Sequence, residues 1–240
     1  MTVLAQAGTT VAAAADDPSC YSRLTNHWVC LSYWQDRSSD LIEATQQHLQ
    51  ITVLSVTLGL VLALPLSVIA RRFTRLKVGI LGLSTALYTI PSIALFPILV
   101  VFTGITQMTV VIGLALYTLT ILVRNTVTGL EAVPEDVRES ATGLGYGSTR
   151  LLLKIEFPIA LPVIMAGLRV ATVSTVALTT VGSLLSYGGL GELLLDGVQN
   201  DFKAEIFAAS VLCVAIALAL DVLLLGLQWL MTPWTRARGA

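Results

Sequence analysis

From Val78 to Val123 the chain runs 46 residues without an Asp, Glu, Lys or Arg. A helix needs about 20 apolar residues to cross the hydrocarbon core of a bilayer, so this run alone has room for two spans. A second uncharged run, Ala44 to Ala70, has room for another. Charged residues make up only 12% of the sequence and hydrophobic ones 55%, with a mean hydropathy of +0.81. A typical soluble domain is roughly 25% charged. Such a chain cannot dress a water-facing surface, so lipid has to cover much of it. In lipid, every backbone polar group must be satisfied within the protein, which leaves helices or closed barrels. Barrel strands alternate apolar and polar residues, and Ile98-Leu99-Val100-Val101-Phe102 does not. The expected class is therefore an all-α integral membrane protein.

Hydropathy predicts five spans, at 50–70, 78–102, 107–129, 159–185 and 206–231. Pro91 and Pro97 fall inside the second, and proline removes a helix hydrogen bond, so that span is expected to bend or break. Positive charge sets orientation. With the N-terminus outside, the inner segments hold nine basic residues: Arg71, Arg72, Arg75, Lys77, Arg138, Arg150, Lys154, Arg236 and Arg238. The outer segments hold three, Arg23, Arg37 and Lys203. The expected location is the cell membrane, multi-pass, with the C-terminus cytoplasmic. The expected division is an extracytoplasmic segment, 1–45, and a transmembrane domain, 46–240. Cys20 and Cys30 both fall in the outer segment, where a disulfide can persist; a bridge between them and two free thiols are both open readings.

The stretch 131–158 is the least membrane-like part of the interior. Pro134 suits the first position of a helix, and Glu135 and Asp136 suit its positive N-terminal end. Gly143, Gly145 and Gly147 end that helix. Ser148 is placed to cap a second short helix, Thr149 to Glu156, and Pro158 to open the fourth span. The expectation is two short helices at an angle between two spans.

Within this stretch, Glu139-Ser140-Ala141, then Gly145, then Ile155, Phe157 and Pro158 resemble the EAA loop of ABC importer permeases. That loop reads E-A-A, three residues, G, nine residues, I-x-L-P. The spacing agrees throughout, with Ser140 in place of Ala and Phe157 in place of Leu. The resemblance implies a cytoplasmic coupling loop that docks on an ATPase subunit, in a type I (MetI-like) transmembrane fold. Four further pieces are similar to signatures of glycine betaine, choline and carnitine permeases. They are Tyr88-Thr89-Ile90-Pro91-Ser92-Ile93-Ala94-Leu95, Val123-Arg124-Asn125-Thr126, Ala166-Gly167-Leu168-Arg169 and Gly188-Gly189-Leu190-Gly191. The last is shared with methionine and other amino-acid permeases, which stand as the alternative.

The implied assembly has two permease subunits, either identical or related, with ATPase subunits and an extracytoplasmic substrate-binding protein. No phosphate-binding G-x-x-x-x-G-K-[ST] loop occurs here. The resemblance thus assigns ATP and Mg to the partner ATPase and no cofactor or enzymatic activity to this chain. No basic tract suggests nucleic acid; membrane lipid is the other expected partner. An ion-coupled secondary carrier and a membrane enzyme or scaffold are the readings from other classes. Against the enzyme, no nucleophile–base pair is recognisable, and His27 and His48 form no metal-ligand spacing with Cys20, Cys30 or nearby carboxylates.

Ionisable groups inside spans are costly and face the bundle interior or water. Arg169 and Asp221 lie at similar expected depth, so an ion pair is expected, either locking the helices or gating a pathway. Arg124 lies nearer the cytoplasmic surface, where it can snorkel. Tyr88, Pro91, Asn125 and Tyr187 complete the pathway candidates. Small residues in the fourth span, Gly167, Ala171, Ser174, Ala177, Thr179, Thr180, Gly182 and Ser183, suit close packing or a narrow pore equally. Tyr21, Trp28, Tyr33 and Trp34 suit an interfacial aromatic belt better than a cage for a quaternary ammonium ion.

Overall fold

The computed structural model describes residues 20–22 and 25–234. Of the basic residues used to orient the chain, Arg23, Arg236 and Arg238 lie outside the described residues. The described residues form helices and no strands. α1 (Leu31–Asp36) leads into α2 (Ser38–Arg72). α3 (Thr74–Thr89) and α4 (Ser92–Thr103) follow, then α5 (Gln107–Glu131), α6 (Glu135–Gly143) and α7 (Ser148–Leu151). A π-helical turn, Leu152–Glu156, joins α7 to α8 (Phe157–Thr179), which ends in a 3-10 turn, Thr180–Leu185. α9 (Leu190–Gln199) and α10 (Lys203–Met231) close the order.

Among the described residues, four helical stretches are long and apolar enough to cross a membrane: Ser38–Arg72, Gln107–Glu131, Ser148–Leu185 and Lys203–Met231. The pair α3 and α4 makes a fifth only if counted as one bent span. The 35 residues of α2 begin at Ser38, well before the expected 50. The stretch from Ser38 to Gln50 is polar but holds no helix breaker; hydropathy marks the lipid-facing depth, not where the hydrogen bonding stops.

α5 is the central helix. It packs on α2, α8, α3 and α4, and sixteen of its 25 residues are buried. Without a hydrophobic drive between helices in lipid, close backbone approach and interhelical hydrogen bonds hold them together. α2 supplies a face of small residues at every fourth position, Ser55, Gly59, Ala63 and Ser67, followed by Ala70, all buried. At Gly59 a β-carbon would sit 2.7 Å from the Thr118 methyl carbon on α5. Buried threonines link the three helices: Thr118 and Thr175 hydroxyls are 2.9 Å apart, and Thr52 and Thr179 3.2 Å apart.

The second span breaks at Pro91, where α4 turns 103° from α3; Pro97 stays inside α4. The break sits beside the middle of α5, where Tyr117 donates its hydroxyl to the Ile90 carbonyl. That carbonyl has lost its helical partner, and irregular backbone at membrane depth persists only where it is satisfied. Tyr117→Phe should therefore cost about 1 kcal/mol, read as an earlier thermal transition of the detergent-solubilised protein; an unchanged transition would mean the carbonyl is satisfied otherwise.

The stretch 131–158 departs from its expectation in three ways. Pro134 precedes α6 as its N-cap instead of being its first residue. Ser148 makes no capping bond; Gly147 holds the N-cap position of α7. The second short helix is not separate, because Ser148 to Leu185 is one continuous helical stretch. Proline normally clashes with the carbonyl four residues back. Here the π turn puts Phe157 N–H on Leu152 O, and this wider turn carries the helix through Pro158 unbroken.

Candidate functional site

The residues of the EAA-like spacing lie on α6, the turn after it and the first part of the long helix. α6 ends in a motif of two bonds, Tyr146 N–H to Ala141 O (3.1 Å) and Gly145 N–H to Thr142 O (2.9 Å). Gly145 closes it at φ +87°, a left-handed conformation that favours glycine. Glu139 and Ser140 are exposed, whereas Ala141 is buried within the chain. Only Ser140 and Glu139 of that triplet thus face outward. Ile155, Phe157 and Pro158 are half-buried, and Phe157 packs against the cluster of Leu130 on α5 with Ala160 and Ile164 on α8.

Two arginines and a glutamate, none singled out from sequence as site residues, tie this loop to the spans. Glu156 is buried, and its Oε1 lies 2.8 Å from Arg138 Nε on α6 and accepts from Arg71 Nη2 on α2 at 3.2 Å. Arg138 Nη2 also donates to Leu130 O at the end of α5 (2.6 Å), and Nη1 to Glu135 (3.0 Å). The Nε atoms of Arg71 and Arg138 make no hydrogen bond. One carboxylate therefore holds α2, α6 and the π turn together, beside an open cleft of about 420 Å3 that Glu139 and Thr142 also line. The signal was a lone acid between Ile155 and Phe157 at the entry to an apolar helix.

Midway along the helices, on a partly exposed face, Arg169 on α8 and Asp221 on α10 form a two-bond pair. Nε and Nη2 each donate to one carboxylate oxygen at 2.8 Å. Gly167, two residues earlier, lets α8 approach Asn125 on α5, whose β-carbon a side chain at 167 would overlap. Asn125 donates to Ile121 O within its own helix. Arg124 is exposed and donates to Thr85 at 3.1 Å. Tyr88, about half exposed, meets Tyr117 edge to face at 5.7 Å.

The Gly188-Gly189-Leu190-Gly191 turn presses on α2. Gly189 has φ +55°, its N–H donates to Gln47 at 3.0 Å, and the Gly188 N–H donates to Glu192. His48 is fully buried here, with Nδ1 3.3 Å from Gly188 O and Nε2 3.1 Å from Val176 O. Tyr187 packs half-buried against the cluster of Ile51, Phe96 and Val110. The pathway candidates thus fall at separate places: Tyr88 and Pro91 at the α3–α4 break, Arg169 and Asp221 between α8 and α10, and Tyr187 beside the glycine turn.

At the other end of the bundle from the arginine cluster, Cys20 and Cys30 form a disulfide with Cα atoms 5.7 Å apart. The segment it staples sits on the α9–α10 turn. Asn26 accepts from the Lys203 N–H (3.0 Å) and donates to Asp201 O (2.6 Å). Tyr21, Tyr33 and Phe202 pack ring against ring. Tyr33 is buried and Trp28 exposed, so these aromatics make a packed cluster and not an open cage. Tyr21 donates to Asp36 (2.8 Å), and that bond holds its phenol above the ordinary value. Among the described residues, no group of three or more His, Cys, Asp or Glu is placed to hold a metal.

A family model described as "Binding-protein-dependent transport system inner membrane component" matches residues 55–237. The chain is similar to the osmoprotectant import permease protein OsmW of Salmonella typhimurium. The two are 37% identical over 209 residues, which take in 85% of this chain and 97% of that one. It is also similar to the carnitine transport permease protein OpuCB of Listeria monocytogenes, 30% identical over 204 residues, with 85% and 93% covered. The glycine betaine/carnitine/choline transport system permease protein OpuCB of Bacillus subtilis is 28% identical over 203 residues, with 85% and 94% covered. Among solved structures, an inward-facing MetNI methionine ABC transporter superposes with a TM-score of 0.75 at 19% identity, covering 82% of this chain and 99% of that one.

Proposed function

The chain belongs to the family of binding-protein-dependent transport system inner membrane components, as a permease subunit of an ABC importer with the all-α MetI-type fold, and we propose that it imports small osmoprotectants of the glycine betaine, choline and carnitine kind. The observation that carries the cargo class is the 37% identity to an osmoprotectant import permease over 97% of that protein's length. The methionine transporter shares the fold at only 19% identity, so it says nothing about cargo.

In this reading, ATP and Mg bind in a separate ATPase, and the loop around Glu139 docks on it. Three features support that role. Glu139 and Ser140 are exposed, Gly145 fixes the turn beyond them, and Arg138, one residue before Glu139, is anchored to two spans. A second permease, identical or related, completes the pathway, and an external binding protein delivers the solute on the disulfide-bearing side. The excess of basic residues at the Arg71 end supports placing that end in the cytoplasm.

The test is uptake of radiolabelled glycine betaine and choline in a strain lacking the gene, with and without complementation, and with and without ATP depletion. Uptake that is lost, restored by the gene and dependent on ATP is the expected result. Unchanged uptake of both solutes, with an ATPase still copurifying, would discard the cargo class and keep the importer. Glu139→Arg should abolish complementation while the subunit remains in the membrane, because it reverses the charge on the exposed face of α6; full complementation would remove the docking role from Glu139.

A further inference from the structure

Most ion pairs among the described residues lie towards the ends of the bundle: Arg37–Asp40, Lys77–Glu131, and Arg71 and Arg138 with Glu156. Arg169–Asp221 does not. Arg169 falls in the middle of α8, and Asp221 sits ten residues before the end of α10. An ion pair at that depth faces the bundle interior or a water-filled space. Each of its side chains retains 28% exposure, and both open onto a cleft of about 510 Å3. That size is within the roughly 300–1,000 Å3 of small-molecule sites. The walls are Ala166, Val170, Val173, Ala217 and Leu218, with Ser174 as the added hydroxyl.

A pair that only locked two helices together would need no open cleft, and an apolar replacement of similar volume would serve as well. The geometry offers something more specific. The guanidinium presents a planar fork that matches a carboxylate with two bonds. The Asp221 carboxylate presents the charge that a quaternary ammonium seeks, and the surrounding methyl-bearing walls suit the alkyl groups of such an ammonium. We propose that Arg169 and Asp221 form a transient binding site in the translocation pathway for zwitterions bearing a carboxylate and a quaternary ammonium. The solute's carboxylate takes Arg169, its ammonium takes Asp221, and the two side chains re-pair behind it when it leaves.

The exchange leaves no charge alone: one internal pair becomes two pairs with the solute, then one again. A cation without a carboxylate can take Asp221 only by stripping Arg169 of the partner that accepts both of its hydrogen bonds. The wild-type site therefore favours zwitterions over simple cations. This inference rests on the osmoprotectant reading above.

The test uses the complete importer, permease with its ATPase and binding protein, reconstituted in vesicles and supplied with glycine betaine and choline in parallel. Arg169→Gln removes the carboxylate partner and frees Asp221. The ratio of glycine betaine to choline uptake should fall by at least about tenfold, the size of one lost charge-assisted pair. Asp221→Asn should lower uptake of both. The double variant Arg169→Met with Asp221→Leu keeps the packing without the charges and should not recover glycine betaine uptake. Equal loss of both solutes in Arg169→Gln, or wild-type glycine betaine uptake in the double variant, would overturn the site and leave the cargo class standing. A wild-type importer that moves neither solute while hydrolysing ATP would overturn the cargo class and the site with it.

Discussion

Glu156→Gln should leave ATP hydrolysis by the assembled importer running while solute moved per ATP falls by about 5–150-fold, the range of a coupling free energy of 1–3 kcal/mol. Glu156 Oε1 is shared by Arg138 of α6 and Arg71 of α2, in a pocket where the carboxylate side chain is only 7% exposed. Glutamine keeps the volume and removes the charge. Two guanidiniums then face each other with no counter-ion between them, and removing one partner of a buried ionic cluster is far more disruptive than its net contribution suggests. α6 keeps its own helical bonds and its Leu130 contact, so it can still dock. What it loses is its tie to α2 and to the π turn. Phosphate release and vesicle uptake measured on the same preparation decide the matter. A proportional fall in both would show that Glu156 only maintains the fold. Arg138→Lys, which retains a charge but not the two-sided reach to Glu135 and Leu130, should give an intermediate loss.

The second large effect is on stability. Gly189→Ala should destabilise the protein by about 3 kcal/mol or more, as the sum of a left-handed backbone strain and overpacking. A β-carbon there would stand 2.6 Å from His48 N and 2.7 Å from Ala44 O. Both are backbone atoms of α2, so no side-chain rotation relieves the clash. The Gln47 bond to the Gly189 N–H and the His48 contact with Gly188 O would be strained together. Thermal unfolding of the detergent-solubilised chain reads the effect. Gly82→Ala is the control: nothing lies within 4 Å of a β-carbon at that position, and its helix should be unaffected or gain roughly 0.5–1 kcal/mol from the lost glycine entropy. Equal behaviour of the two variants would mean that the glycine turn is not packed against α2.

The features of this molecule legible in the sequence are those written in local chemistry. Hydropathy places spans at 107–129 and 206–231, within three residues of the observed Gln107–Glu131 of α5 and Lys203–Met231 of α10. The turn at Gly145 follows from a glycine just beyond a short polar helix. The pairing of Arg169 with Asp221 follows from equal depth and opposite charge. The break at Pro91 was foreseeable, but its 103° angle was not, because proline removes a bond without choosing a direction. The run Ser55, Gly59, Ala63 and Ser67 was also present to be read; it is masked by Leu, Val and Ile around it, which hydropathy weighs more heavily. Glu156, Arg138 and Arg71 are separated by up to 85 residues, and only the fold brings them to one point. The same holds for His48, whose carbonyl partners lie 128 and 140 residues away. Its placement shows no ligand role that spacing could have announced.

The unbroken helical stretch from Ser148 to Leu185 has the geometry of a lever. Its 38 residues span about 57 Å at 1.5 Å per residue. One end lies just past the α6 turn, and the other runs into the glycine turn that is wedged against α2. A swing about the wedged end would carry Arg169 through roughly two-fifths of any sideways displacement applied at Ser148, by proportion of length along a rigid rod. A push of about 5 Å at the loop would thus arrive at the ion pair as about 2 Å, which is enough to break both of its hydrogen bonds. The π turn at Leu152–Glu156, by making room for Pro158, is what keeps the rod in one piece.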